Sequence, residues 1–392
     1  MKIFTEESTG NVIIVIYVPM AKREEKPVYL NDDIFKNTYR RNWEGDYRCS
    51  VTEVKAMLRD QTENTMDMKV IERLSVNQLN MESVHGYRNR HRSFRPAHPW
   101  SDLSDADYLQ RIGAADVGED GRLHPTAAGL LMFGDEYRII REFPDYFLDY
   151  REMMDPEIRW TDRFYSSTGE WSGNLFDFYF RVYNKIIKDV KVPFKMVGGD
   201  RIDDTSVHKA IREALANCLI NTDFMGSRGV VIKKEPDKLT IENPGYIRVG
   251  KYQMKRGGES DPRNKTLMKM FNLIDIGERA GSGVPELFSV WEKEGWEDPV
   301  IEERYGESAR TTVILSFNKK ATAKTQQQLQ EIQTKMRTGK EYKLEEICEI
   351  TGLKRTRTRD LVKKLVVMGI VDESGDRKAR RYKKIKTGSE QE

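Results

Sequence analysis

The stretch Ser206–Asn221 constrains the fold of this chain more than any other. At helical spacing, Ala210, Ile211, Ala214, Leu215, Leu219 and Ile220 make it apolar, and Asp203-Asp204-Thr205 gives it an N-cap-rich entry. Glu213, Asn217 and Asn221 stand at i, i+4 and i+8 and therefore share one face, one turn apart. Polar groups set beside a core face need partners or a ligand. On pattern alone, a ligand and the capping of neighbouring loops are equally good explanations.

The surroundings alternate strand and helix. Gly229–Lys234 and Lys238–Glu242 read as a hairpin, Thr266–Leu273 and Val284–Glu294 as helices, and Thr311–Phe317 as a strand. Ile241-Glu242-Asn243-Pro244-Gly245 ends a strand in a tight turn, and Gly277–Gly283 is glycine-rich ahead of a helix. Glycines let a backbone approach phosphate closely, and a helix N-terminus offers unpaired N–H groups to an anion. Gly245–Tyr252 nearly spells a P-loop, but Tyr252 replaces the Ser/Thr that binds Mg²⁺ and the residues after it do not read as an adequate helix.

Upstream, residues 96–200 read as a helical connector. An apolar helix spans Thr126–Phe133 with Pro125 in its first turn, Phe147–Tyr150 is a strand, and Leu175–Val190 carries helical spacing. Residues 1–95 open with a β-rich run, Asn11–Val18, then an extended stretch, Lys26–Leu30, and a helix from Thr52 to Asp60. A lone strand and helix cannot bury their apolar faces, so a front portion is expected to be missing.

A chain of 392 residues suits two or three domains. Cys49, Cys218 and Cys348 lie far apart, which suggests neither a disulfide framework nor a zinc knuckle and fits a cytoplasmic setting. The longest apolar run, Val12–Val18, falls far short of the roughly 20 residues of a membrane span. The net charge of +3 conceals an asymmetry: residues 321–387 hold 18 Lys/Arg and 9 Asp/Glu, a net of +9 that leaves −4 on residues 1–320. A basic C-terminal module of this kind meets a polyanion.

That module has a folding pattern. Leu344–Ile350 is a short amphipathic helix, Thr351-Gly352-Leu353 a turn, and Lys354–Met368 a second helix whose apolar face is Leu361, Leu365 and Val366. The second helix opens with Lys354, Arg355, Thr356, Arg357, Thr358 and Arg359. In a helix-turn-helix the second helix enters the major groove leading with its N-terminal end, where Arg reads guanine edges and Lys and Thr hold phosphates. A strand at Gly369–Val371, a turn at Ser374–Asp376 and a basic return at Arg377–Lys386, with Arg377, Lys378, Arg380 and Arg381, complete a winged helix-turn-helix expected to bind double-stranded DNA. Polar Thr322–Gln333 is its linker or first helix.

Taken in order, N-T-Y-R-R-N-W-E-G-D-Y, H-P-T-A-A-G-L-L-M-F-G, F-L-D-Y-R-E, R-E-A-L-A-N-C-L-I-N-T-D-F, I-E-N-P-G, S-D-P-R-N and G-E-R-A-G-S-G resemble the GHKL ATPase superfamily. The closer likeness is to its divergent branch in transcriptional regulators with a Schlafen/AlbA-type front domain. The resemblance implies an α+β multidomain chain: a partial Schlafen/AlbA-like α/β domain over 1–95, the connector over 96–200, a GHKL-type (HATPase-like) α/β sandwich over 201–320 and the winged helix over 321–387. It implies ATP and Mg²⁺ as ligands, with Glu213 as the general base and Asn217 holding the metal. Asn243 takes the place of the adenine-reading acid, which removes the charge that strengthens such bonds. Asn221, Gly245, the lid glycines Gly281 and Gly283, and Thr311 complete the implied nucleotide site. Winged-helix regulators are often dimers, the sole ground for suspecting a homodimer. The leading expectation is an ATP-binding, DNA-binding transcriptional regulator. Two alternatives stay open: an ATPase or nucleic-acid-processing component of a defence system, and a regulator with a vestigial pocket.

Overall fold

The computed structural model describes residues 2–6, 10–18, 21–42, 45–62, 64–188, 195–197, 200–202, 205–277, 281–375 and 380–385. Among them are several β-sheets and 13 α-helices, a mixed α+β architecture. The chain divides into two compact units, Met1–Asn318 and Lys319–Glu392. No helix among the described residues is long and apolar enough to cross a membrane.

The first unit opens with two antiparallel hairpins, β1 (Lys2–Thr5) with β2 (Val12–Val15) and β3 (Tyr39–Asn42) with β4 (Gly45–Arg48). Helix α1 (Val51–Asp60) follows, its start fixed by a reciprocal cap: Ser50 Oγ accepts from the Glu53 amide, and the Glu53 carboxylate accepts from the Ser50 amide. Next come α2 (Met81–Phe94), α3 (Asp105–Ile112), the short hairpin β5 (Ala115–Val117) and β6 (Leu123–Pro125), α4 (Ala127–Phe133) and α5 (Glu136–Ile139). Pro125 ends β6 and does not enter α4. Thr126 caps that helix instead, its hydroxyl accepting from the Gly129 amide at 3.0 Å. The chain continues through β7 (Leu148–Glu152), β8 (Asp162–Tyr165), α6 (Leu175–Ile187), the small pair β9 (Lys195–Val197) and β10 (Asp200–Ile202), and α7 (Ser206–Asn221). The unit closes with β11 (Val230–Lys234), β12 (Lys238–Pro244), α8 (Lys251–Arg256), α9 (Lys265–Leu273), α10 (Gly283–Lys293), β13 (Val300–Arg304) and β14 (Arg310–Ser316).

Its organising element is a six-stranded sheet in the order β13-β14-β12-β11-β7-β8. All neighbours are antiparallel except β11 and β7, which run parallel with Ile232 opposite Tyr150. Helix α7 packs on β12, with α6 and α10 alongside it. One apolar core extends from Ile71 to Leu315 and includes the fully buried Trp291, Tyr150, Tyr179 and Phe271. The apolar positions of α7 serve this core: Ala210, Ile211, Leu215, Leu219 and Ile220 are all buried.

The N-terminal hairpin β3–β4 and α1 are tied to the same body. Glu53, 3 % exposed, takes a bond from Arg40, from the Tyr246 hydroxyl at 3.1 Å and from the Gly306 amide at 3.1 Å. Burial alone would raise this carboxyl, but the bonds from Ser50, Arg40 and Gly306 hold it below the usual carboxylate range. The Arg40 guanidinium lies 3.8 Å from the centre of the Tyr305 ring.

The second unit contains α11 (Ala323–Lys335), β15 (Glu341–Tyr342), α12 (Leu344–Thr351), α13 (Arg355–Val367), β16 (Val371–Ser374) and β17 (Arg381–Lys384). The strands make an antiparallel sheet in the order β15-β17-β16. Leu329, Ile332, Ile347, Leu361, Val362 and Leu365 meet over Val371 and Tyr382 as its separate core. Gly352, at φ +71°, ends α12 in the left-handed conformation that the tight turn into α13 requires.

Candidate functional site

Within the first unit a cleft of about 160 Å³ opens between α7, α10 and the edges of β12 and β14. Its walls include Glu213, Asn217, Asn221, Asn243, Gly281, Gly283 and Thr311, seven of the residues singled out from the sequence. Gly245 is not among them: it packs against Arg263 and Asp223. Its φ of +103° and the closeness of those side chains explain why glycine stands there.

The three polar residues of α7 form a chain along the helix. Asn217 Nδ2 donates to Glu213 Oε1 at 3.1 Å, and Asn221 Nδ2 donates to the Asn217 carbonyl at 2.9 Å. All three are half-buried, spread over about 12 Å of helix axis. The glycine-rich segment lies beside Glu213. A methyl group at Gly283 would sit 2.5 Å from Glu213 Oε1, and one at Gly281 would sit 2.5 Å from the Glu259 carbonyl. Both positions thus bring backbone close to groups that any side chain would displace. Glu278–Ala280, between them and Gly277, lie outside the described residues.

On the sheet side, Asn243 and Thr311 are paired directly across β12 and β14. Asn243 is 5 % exposed and returns its amide nitrogen to the Pro244 carbonyl at 3.1 Å, so its amide oxygen is the acceptor it keeps in hand. The Thr311 hydroxyl donates to the Gly245 carbonyl at 2.9 Å and anchors the turn after β12. Cys218 also lines the cleft, but burial pushes its thiol up to about 12, which removes thiolate chemistry near neutral pH. The near-P-loop ends in α8, six residues long, with Lys251 exposed at its start.

Several cleft residues carry no simple sequence signal. Arg248, Glu259 and Asp261 line it, and Asn264 closes the C-terminus of α7 by donating to the Ile220 and Thr222 carbonyls at 2.9 and 2.8 Å. Asp67, from a distant 3₁₀ turn, accepts from the Thr266 and Leu267 amides and so caps α9. The stretch S-D-P-R-N holds two of these residues, Asp261 and Asn264, which was the available clue.

In the second unit, Lys354, Arg355, Thr356 and Arg359 are exposed on the first turns of α13. Two other candidates there are engaged otherwise. Arg357 donates to Gln328 Oε1 at 2.9 Å and to Thr325 Oγ1 at 2.6 Å on α11, and Thr358 is fully buried, its hydroxyl bonded to the Lys354 carbonyl at 3.2 Å. Thr358 stands three, four and seven residues before the buried Leu361, Val362 and Leu365, so helical phase turns it into the core with them. Arg355 meets Glu345 at 2.8 Å with both side chains largely exposed, and Arg380 meets Glu373 at 2.7 Å. Arg381 lies on β17, and Arg377 and Lys378 lie outside the described residues.

Two family models match parts of the chain. Residues 226–315 match HATPase_c_4, described as "Putative ATP-dependent DNA helicase recG C-terminal", and residues 55–149 match a domain of unknown function, DUF8451. The first match indicates a divergent ATPase-like domain and covers Asn243, the glycine-rich segment and Thr311; α7 lies just ahead of it. Among curated proteins nothing matches. Among solved structures, the DIP2311 protein from Corynebacterium diphtheriae is similar, with a TM-score of 0.50 and 14 % identity over 89 % of this chain and 70 % of that one. At that identity the likeness is one of fold.

Proposed function

We propose that this chain is a nucleotide-responsive DNA-binding regulator, in which a divergent GHKL-type domain over 201–320 holds ATP with Mg²⁺ and a winged helix over 321–387 binds duplex DNA. Residues 1–95 are, in this reading, a partial Schlafen/AlbA-type domain, and 96–200 a connector that lends β7 and β8 to the sheet. The observation that carries the nucleotide half is the convergence on one cleft of Glu213 and Asn217, the Asn243–Thr311 pair and the glycines Gly281 and Gly283.

The donor set suits Mg²⁺. Asn217 spends its amide nitrogen on Glu213 and keeps its amide oxygen, a hard donor of the kind Mg²⁺ shares with phosphates. Among the described residues no cluster of three or more His, Cys, Asp or Glu could hold a metal alone, so here the ion would be held jointly with the nucleotide. Glu213, beside that oxygen, is placed to orient a water as a general base. Asn243 and Thr311 would face the base.

The DNA half rests on the second unit: a short helix, a tight turn at Gly352, a second helix opening with exposed Lys354, Arg355, Thr356 and Arg359, and a β-hairpin carrying Arg380 and Arg381. Arg357 serves this reading by fixing α13 on α11.

Thermal denaturation of the full chain with ATP and Mg²⁺ tests the nucleotide half. A ligand that binds only the folded state raises the melting temperature, by a free energy of about 2.7 kcal/mol at a hundredfold excess over Kd. Asn217→Ala is expected to lose the Mg²⁺-dependent part of the rise. A wild-type melting temperature indifferent to ATP·Mg²⁺ at millimolar concentration contradicts the proposal.

A further inference from the structure

Arg248 sits in the loop after β12 and lines the cleft, its side chain 8 % exposed. Its Nη2 donates to Asp60 Oδ1 at 2.9 Å and its Nη1 to the Pro262 carbonyl at 3.1 Å, while its Nε is buried with no hydrogen-bond partner. An unsatisfied donor on a buried guanidinium is costly, and a third acceptor at that position would relieve the cost.

Asp60, the last residue of α1, does not depend on Arg248. Arg263, also 8 % exposed, reaches both of its oxygens from Nη1, at 2.6 and 2.7 Å. Asp261, the other acid nearby, is 3.9 Å from Arg248 but 3.2 Å from Arg23. Arg23 also meets Glu24 at 3.5 Å, so Arg248 has to share its nearest acid, Asp60, with Arg263. Of these three arginines, Arg248 alone lines the cleft.

The lining needs the charge of Arg248. Glu213, Glu259 and Asp261 are carboxylates, and Arg248 is the only Lys or Arg among the described lining residues. A polyphosphate entering here meets Glu213, Glu259, an Asp261 already paired with Arg23, and the one guanidinium of Arg248.

We propose that Arg248 is an anion subsite of the cleft, exchanging Asp60 for a phosphate group of the bound nucleotide. This rests on the nucleotide reading given above. The exchange is inexpensive because Asp60 keeps its bonds from Arg263, and the released guanidinium presents a planar fork suited to two phosphate oxygens. Burial draws the Arg248 guanidinium downward while Asp60 opposes it, and the group remains charged in either arrangement.

Isothermal titration of the full chain with ATP, ADP (each with Mg²⁺) and adenosine tests it. Arg248→Gln is expected to weaken ATP and ADP roughly tenfold to a hundredfold, the range of a lost hydrogen bond to a charged group, and to leave adenosine unchanged. If wild type binds ATP and Arg248→Gln binds it equally well, the subsite is overturned while the nucleotide reading stands. Equal weakening of adenosine and ATP overturns it too, since the effect is then not on the charged group. If wild type binds none of the three ligands, the nucleotide reading fails and the subsite with it. Should Arg248→Gln lose cooperative melting, Arg248→Lys decides: it keeps the charge without the fork, and the preference for ATP over adenosine should shrink. An unchanged preference overturns the proposal.

Discussion

Polar side chains in this protein find their partners over very different sequence distances. Glu213 and Asn217 fall four apart on one helix, so their contact follows from helical geometry. Asp60 and Arg263 are separated by 203 positions, and nothing local marks either as the other's partner. Thr358 shows the opposite failure: a polar residue in a basic run reads as surface, yet helical phase turns it into the core. His91 belongs with the residues that only packing explains. It is 1 % exposed, lies 3.0 Å from the Tyr108 hydroxyl and has a pKa lowered to about 4 by burial, then by His98 and Arg95. The unfolded chain therefore binds a proton here at a higher pH than the native protein does. The penalty is absent well above the ordinary histidine pKa of about 6.5 and grows as pH falls toward 4. Chemical denaturation should show a loss of about 2 kcal/mol from this group between pH 7 and pH 5, and His91→Phe should flatten that slope. An equally steep slope in the variant contradicts the assignment.

At the scale of elements, period and caps carried most of the information. Helix α7 occupies the whole of its expected range, and α6, α9, α10, α12 and α13 fall within a few residues of theirs. The hairpin of β11 and β12 forms as expected, because two short β-rich runs separated by a turn leave few other choices. Pairing between distant strands was not legible. A strand was expected at Phe147–Tyr150 and forms at Leu148–Glu152, but its parallel partnership with β11, some eighty residues on, depends on the crossover through α6 and α7. Pro125 was assigned to the helix by its usual position near helix starts, and the short β5–β6 hairpin claimed it first. The helix that follows shows what its glycine is for. A methyl group at Gly129 would lie 1.8 Å from the Ala114 carbonyl oxygen, a backbone atom that cannot swing aside. Gly129→Ala is expected to cost about 3 kcal/mol or more and to lower the yield of soluble chain, measured by denaturant unfolding. Unfolding at the wild-type midpoint would contradict this packing.

For the whole molecule, the charge asymmetry read from the sequence coincides with a physical one: a basic C-terminal unit with its own core and an acidic unit built on the six-stranded sheet. In the proposed function both act in one chain, the acidic unit answering to a nucleotide and the basic unit to DNA. Counterion release makes the second demand measurable, since each phosphate contact contributes about one unit to the slope of log affinity against log salt. The decisive measurement is fluorescence anisotropy of a labelled mixed-sequence duplex, titrated with the full chain at rising salt with and without ATP·Mg²⁺. Affinity should fall linearly on that plot, with a slope reduced by about one each for Lys354→Ala and Arg359→Ala, and respond to ATP·Mg²⁺ in a way that Asn217→Ala abolishes. Affinity that is absent, or flat across salt and deaf to nucleotide, would contradict the proposed function.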